Sequence, residues 1–313
     1  MADRYLVSGA AGFVGSWYTR HLLDQGHEVV ALDRIDSAGY LGRLDRRAKF
    51  VRHDLAAELN SHVDRAIGDV DYVVHLAAGS HVDRSVTDPE CFLFDNVVAT
   101  FRLLQWARKR PIKKFLCMST DEVFGAAPNN VTFREHDAFN PTNPYSALKA
   151  GAELLCPAWS NTYDVPIVIV RSTNIYGSGQ DREKYIPLAA ERIAKGELVQ
   201  IHADANTMAS STRFYLHASD VCKAFDIILE KGGILGGTGA GRYNLSGHVE
   251  HSNLEVAQRI ADHLGKQLRY ELVAFVPNRP RHDQAYRVSW TKLAQLGWEP
   301  LVSLEDGLRE ALQ

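Results

Sequence analysis

Cysteine is scarce in this chain, and so is any excess of one charge. The 313 residues hold four cysteines, Cys91, Cys117, Cys156 and Cys222, far apart and with no CxxC pair. Three lie in apolar runs, where a reduced thiol is simply a small core residue, so a reducing cytoplasm is the expected setting. The formal net charge is -3, with Lys and Arg scattered among acids. That leaves no basic stripe for nucleic acid or an anionic membrane. No apolar run approaches the roughly 20 residues that cross a bilayer, and no signal sequence is read ahead of the first strand. Repeats, low-complexity tracts and linkers are likewise missing. What remains, 45% hydrophobic and 23% charged, is the composition of one large globular unit or two modest domains sharing a cleft.

Residues 4–8 predict a short buried strand, and GAAGFVG (residues 9–15) follows at once, opening an amphipathic stretch from Phe13 to Leu23. Gly9 permits a tight turn, Gly12 lets backbone approach a pyrophosphate, and Gly15 lets helix and strand pack closely. Phe13 and Val14 stand in the helix's first turn, whose N–H donors face the phosphates. The spacing is GxxGxxG, so this signature by itself is weak. The next strand ends at Asp33, about 20 residues on, where an acid accepts ribose hydroxyls and repels a 2′-phosphate. NAD is therefore expected over NADP, with Arg34 next door pulling the other way. Asp33 capping a turn is the bland alternative.

Further strands are predicted at 49–53, 71–76 and 114–118, alternating with helices, the clearest from Phe92 to Arg108. This pattern predicts an α/β fold with a doubly wound parallel sheet. Ligands bind beyond the carboxyl ends of such strands, so Leu76, Ala77 and Ala78, and Ser119-Thr120-Asp121-Glu122, point towards the cofactor. Tyr145 and Lys149 stand four apart in a helical stretch and share a face. An ammonium beside a phenol should lower the tyrosine's pKa from about 10. Pro157 should kink or end the same helix.

Taken in order, GAAGFVG, HLAAGSHVDRSVTDP, STDEVFG, YSALK, RSTNIYGSGQ with EKYIP, YNLSGH with SNLEV, NRPRHD and LGWEP resemble the extended short-chain dehydrogenase/reductase family, and within it the dTDP-glucose 4,6-dehydratases. The resemblance runs from residue 4 to about residue 300. It implies a Rossmann domain over 1–172 carrying NAD, with 212–232 returning to it, and a smaller α/β domain mainly over 173–313 for the nucleotide-sugar. It assigns Gly9, Gly12, Gly15, Asp33 and Lys149 to the cofactor, with Asp54 and Leu55 flanking adenine. It also implies a homodimer built on helices over 88–110 and 144–163.

In the chemistry the resemblance implies, Tyr145 removes the sugar's 4-hydroxyl proton, aligned by Thr120, while hydride passes from C4 to NAD. Glu122 then takes the C5 proton and protonated Asp121 donates to the departing 6-hydroxyl, before hydride returns to C6. Adjacent carboxyls suit a task needing one protonated and one ionised group, because like charges push their pKa values apart. For the substrate the resemblance assigns His81, Asn174, Lys184, Arg213, Asn253, Arg279 and His282. For any one of these a surface polar residue is the bland reading. His81 and Asp83 lack a second His or Cys at ligand spacing, so no metal is expected.

Departures from the family pattern are Arg281 in place of glycine, a longer 202–212 segment, Phe124 for tyrosine and Ile175 for asparagine. They bear on the nucleobase and sugar more than on the reaction. The alternatives are a 4-epimerase or decarboxylase of the same family and a catalytically silent NAD-binding module.

Overall fold

The computed structural model describes residues 2–35, 41–128, 131–204, 207–236, 240–274 and 285–313. Arg279, Arg281 and His282 lie outside the described residues.

Strands β1 (Arg4–Ser8), β2 (Glu28–Asp33), β3 (Lys49–Arg52), β4 (Tyr72–His75), β5 (Lys114–Thr120) and β6 (Ile167–Ser172) form one parallel sheet in the order 3-2-1-4-5-6. Along β1, Tyr5 and Val7 enter one core cluster and Leu6 the opposite one, as do Val29 and Ala31 against Val30 and Leu32 on β2. Period-two alternation with both faces apolar is what a sheet covered by helices on each side requires. The order reverses between β1 and β4, and the crevice at that switch point opens beside Gly9 and Leu76.

A second, smaller body carries β7 (Asn174–Tyr176), β8 (Val199–Ala203) and β9 (Thr212–His217) with its own core around Ile193, Ile201, Val256 and Ile260. The chain then recrosses. Helix Ala218–Lys231 packs on helix Phe13–Asp24, and β10 (Arg242–Leu245) adds to β6 as the seventh parallel strand. The return to the large sheet thus reaches Leu245, while 212–217 pairs with β7 and with β11 (Glu250–Ser252) in the smaller body. A last strand, β12 (Tyr270–Ala274), pairs with β8.

Two local expectations are corrected. The helix from Pro144 runs unbroken to Tyr163 with Pro157 inside it. Most of its inner face is buried, and that packing outweighs the one backbone donor a proline removes. The stretch from Pro89 to Ala107 has a π-helical turn at Leu93–Val98 between two α-helical pieces. Cys117, Cys156 and Cys222 are buried, Cys91 is exposed, and all four are unbridged. Among the described residues no helix is long and apolar enough to cross a membrane, and no cluster of His, Cys, Asp and Glu could hold a metal.

Candidate active site

The glycine turn is shaped by close approach. Gly9 has φ 69°, and a Cβ there would sit 2.6 Å from the Ala77 nitrogen; one on Gly15 would sit 2.0 Å from the Gly9 carbonyl oxygen. Gly12 caps the helix Phe13–Asp24 without a side-chain bond, so the first-turn N–H groups face outward. Asp33 steadies this loop: its carboxylate accepts from the Ala11 N–H at 2.9 Å and from the Ile35 N–H at 2.8 Å. Beside it lies a cavity lined by Gly9, Gly12, Asp33, Asp54, Leu55, Leu76, Ala77 and Ala78. His53 also lines it, and its buried Nε2 has no partner among the described residues. A flat wall of Leu and Ala, an acid at the ribose edge and a phosphate-ready helix end fit a dinucleotide. Phe13, Val14 and Gly15 do not line the cavity; Val14 packs on the core instead.

At the end of β5 the chain turns through one 3₁₀ helix, Asp121–Phe124, capped by the Thr120 hydroxyl, which accepts from the Glu122 N–H. Gly125, at φ 73°, lets the chain pass the Asn140 carbonyl, which a Cβ would strike at 2.2 Å. The turn holds Asp121 and Glu122 differently. Asp121 is 4% exposed, and its Oδ2 has no partner among the described residues. Burial, then the charge of Glu122, raise its pKa to about 7. Glu122 is half-buried, and its Oε2 accepts from Asn143 Nδ2 at 3.3 Å and from the Tyr286 hydroxyl at 3.4 Å. Sequence reasoning missed both partners. Asn143-Pro144 is a readable helix start, since Asn caps and Pro follows well at the first position; Tyr286 carries no local signal.

Tyr145 opens the helix Pro144–Tyr163, its N–H bonded to the buried Ser85 hydroxyl at 3.1 Å. Here the expected pKa is corrected. The Tyr145 phenol is pushed up, chiefly by burial and then by the charge of Glu122, against a hydrogen bond from Thr120 that pulls it down. Lys149 does not offset this, because its Nζ donates to the Met118 carbonyl at 2.7 Å and burial lowers its own pKa. Below it His75 is held neutral by burial, its pKa down at about 3, between the Ser8 and Thr100 hydroxyls.

One turn further along the same helix, Glu153 forms a buried ion pair with Arg171 of β6. The Arg171 guanidinium lies 4.8 Å from the ring centre of Phe124, so it also braces the acid turn.

The residues assigned to the substrate divide into groups. Lys184 donates to the Ser80 carbonyl at 2.8 Å, and Glu183 meets both His81 and Arg84, so these two segments face each other across a cavity of about 900 Å³. Arg213 lies with its guanidinium 4.9 Å from the Tyr286 ring centre, and its charge reaches Asp121. Asn174 is exposed at the start of β7. Asn253 serves packing: its side chain accepts from Tyr215 at 2.8 Å and its carbonyl from Tyr185 at 2.5 Å.

Known proteins resemble this chain over nearly its whole length. The GDP-mannose 4,6 dehydratase family profile matches residues 6–311. A low-salt glycan biosynthesis protein, Agl12 of Haloferax volcanii, is 41% identical over 97% of this chain and 95% of its own. Among solved structures, DesIV, a dTDP-glucose 4,6-dehydratase of Streptomyces venezuelae with NAD and TYD bound, superposes with TM-score 0.85 at 33% identity over 99% of this chain and 95% of its own. A UDP-glucose 4-epimerase of Thermus thermophilus in complex with NAD reaches TM-score 0.90 at 28% identity over 99% and 97%. The epimerase's likeness shows that the backbone serves more than one reaction. With the profile spanning nearly the whole length and the acid turn and Tyr–Lys helix in place, this chain belongs to the GDP-mannose 4,6 dehydratase family, the nucleotide-sugar hydro-lyases of the extended short-chain dehydrogenase/reductase fold.

Proposed function

We propose that this enzyme is an NAD-dependent 4,6-dehydratase whose substrate is dTDP-glucose and whose product is the 4-keto-6-deoxy sugar. The observation that carries the reading is the asymmetric acid pair: Asp121 is buried with its pKa raised to about 7, beside Glu122, which accepts from Asn143 and Tyr286. One group is thus suited to donate a proton and its neighbour to accept one.

Gly9, Gly12, Asp33, Asp54 and Lys149 would hold NAD, which when bound would supply a hydride acceptor for C4, a hydride donor for C6 and the positive charge of its oxidised ring. Tyr145 Oη would take the proton of the 4-hydroxyl as the phenolate, a form that the Thr120 hydrogen bond favours and that the positive ring of bound NAD would favour further, against the upward push of burial. The 4-ketone acidifies the C5 hydrogen, and a Glu122 carboxylate oxygen removes it. Asp121 passes its proton to the 6-hydroxyl, which departs as water. The carboxyl of Glu122, now protonated, returns its proton to C5, and the proton that Tyr145 took from the 4-hydroxyl makes good, by way of solvent, the one that Asp121 gave to the departing water, so that both groups are reset. Lys184 and Arg213, which burial or stacking holds at the cleft, offer cations to the diphosphate.

That DesIV is a dTDP-glucose 4,6-dehydratase with TYD bound supports the thymidine nucleotide; that Agl12 is a glycan biosynthesis protein supports a role in supplying a glycan. The outer faces of Leu93–Ala107 and Pro144–Tyr163 expose Phe94 and Leu154, which supports a homodimer through these helices. The test is incubation of the purified protein with dTDP-, UDP-, GDP- and CDP-glucose, read by mass spectrometry. Loss of one water from the dTDP sugar is the expected result. A new isomer of unchanged mass would instead establish an epimerase.

A further inference from the structure

Arg34 follows Asp33 directly, in the region where folds of this kind place a cation to receive a 2′-phosphate. Its guanidinium is turned into a two-point contact with Asp95: Nη1 to Oδ1 at 2.6 Å and Nη2 to Oδ2 at 2.8 Å. Asp54 stands 3.6 Å from the same Nη1. Arg34, Asp54, Asp95 and Asp33 all line the cavity beside the glycine turn. Asp95 comes from the π-helical turn Leu93–Val98, and its side chain is only 11% exposed, so the pair is partly shielded from solvent. Such wide turns recur at functional sites because they re-aim a side chain. A bidentate Arg–carboxylate contact is among the stronger polar pairs, and breaking it would leave a carboxylate largely buried.

We propose that Asp95 is a cofactor-specificity residue: by engaging Arg34 on both nitrogens it withdraws the guanidinium that, among the described residues lining this cavity, could favour a 2′-phosphate, leaving an acidic rim at the adenosine ribose. Among the described residues that line this cavity, the carboxylates of Asp33, Asp54 and Asp95 outnumber the guanidinium of Arg34, which Asp95 and Asp54 approach. A phosphate bearing roughly two negative charges meets net repulsion there, whereas a ribose hydroxyl finds acceptors. Asp33 alone is therefore only half of the discrimination. This inference rests on the cofactor reading above.

The test is direct binding: the full-length protein, freed of retained nucleotide on charcoal, is titrated with NADH and NADPH while tryptophan fluorescence is followed. Wild type is expected to prefer NADH. Asp95→Asn, which keeps the shape and removes the charge, should narrow that preference by about tenfold, mainly through tighter NADPH binding. In an Arg34→Ala background the same substitution should move the ratio of the two affinities much less, because only the direct repulsion by Asp95 is then relieved and no cation is released. An unmoved ratio in Asp95→Asn, or an equal change with Arg34 absent, would overturn the inference while leaving NAD binding intact. Wild-type protein that binds neither nucleotide would overturn the cofactor reading and the inference together.

Discussion

Glu153 and Asp121 are buried to nearly the same degree, 2% and 4% exposed, within a short distance of one helix, yet they are provided for in opposite ways. Glu153 meets Arg171 through both carboxylate oxygens, Nε standing 3.1 and 3.0 Å from them. Arg171 is further bonded to the Glu135 carbonyl and enclosed by Phe124 and Phe139. Asp121 has the Thr120 hydroxyl at 3.2 Å and the like charge of Glu122 beside it. A charge taken out of water needs a partner or gives up its ionisation. The first region is an ion pair that fixes geometry; the second, on the proposed reading, holds a proton to deliver.

The largest expected effect separates them by activity. Asp121→Asn and Glu122→Gln should each lower kcat by about a hundredfold or more, as loss of a general acid or base does, with substrate affinity little changed. Measured turnover near wild type in either variant would remove the acid–base assignment. Stability should sort them the other way. Glu153→Gln strands a buried guanidinium and should cost about 3–5 kcal/mol in denaturant unfolding. Asp121→Asn should cost nothing or add about 1 kcal/mol, since a buried carboxylate is replaced by a neutral amide.

pH sharpens the contrast more gently. Because the folded pKa of Asp121 is raised to about 7, its contribution is greatest below the ordinary carboxylate range and is lost as pH rises through about 7. Between those limits the unfolded chain has released the proton that the fold retains. Unfolding curves from pH 4 to 8 should therefore slope downward in wild type and less so in Asp121→Asn, and turnover should fall on the alkaline side as the acid ionises. The smallest effect expected is that of Tyr286→Phe, which removes one long hydrogen bond to Glu122 and should cost about fivefold in kcat.

Much of the frame was legible because it rests on local rules. Gly9 and Gly15 are forced by contacts under 3 Å, and the strand alternation follows from a sheet covered on both faces. The acid turn was legible as a position, at the end of an apolar strand. The resemblance also gave Asp121 the proton and Glu122 the role of base; what was not legible was the burial behind that difference and the partners of Glu122, Asn143 and Tyr286, the latter 164 residues away. The tyrosine's pKa was misjudged for the same reason: helical spacing brings Lys149 to the right face, but the Met118 carbonyl decides where the ammonium goes. No periodicity announces the π turn that carries Asp95, and β10, Arg242-Tyr243-Asn244-Leu245, alternates polar and apolar residues over too short a span to stand out. Tertiary partners settle such cases, and they leave no trace in spacing.

The placement of β10 has a mechanical consequence. The large sheet ends in a strand drawn from residues 242–245, so the polypeptide passes between the two bodies after β6, returns for helix Ala218–Lys231 and β10, and leaves again towards β11. A fragment ending at residue 172 would strip β6 of one neighbour and present a bare edge that the intact fold buries and whose first four residues are apolar, the kind that associates with other chains. The enzyme is therefore a woven article, which should unravel in a single event and resist being cut into a cofactor half and a sugar half.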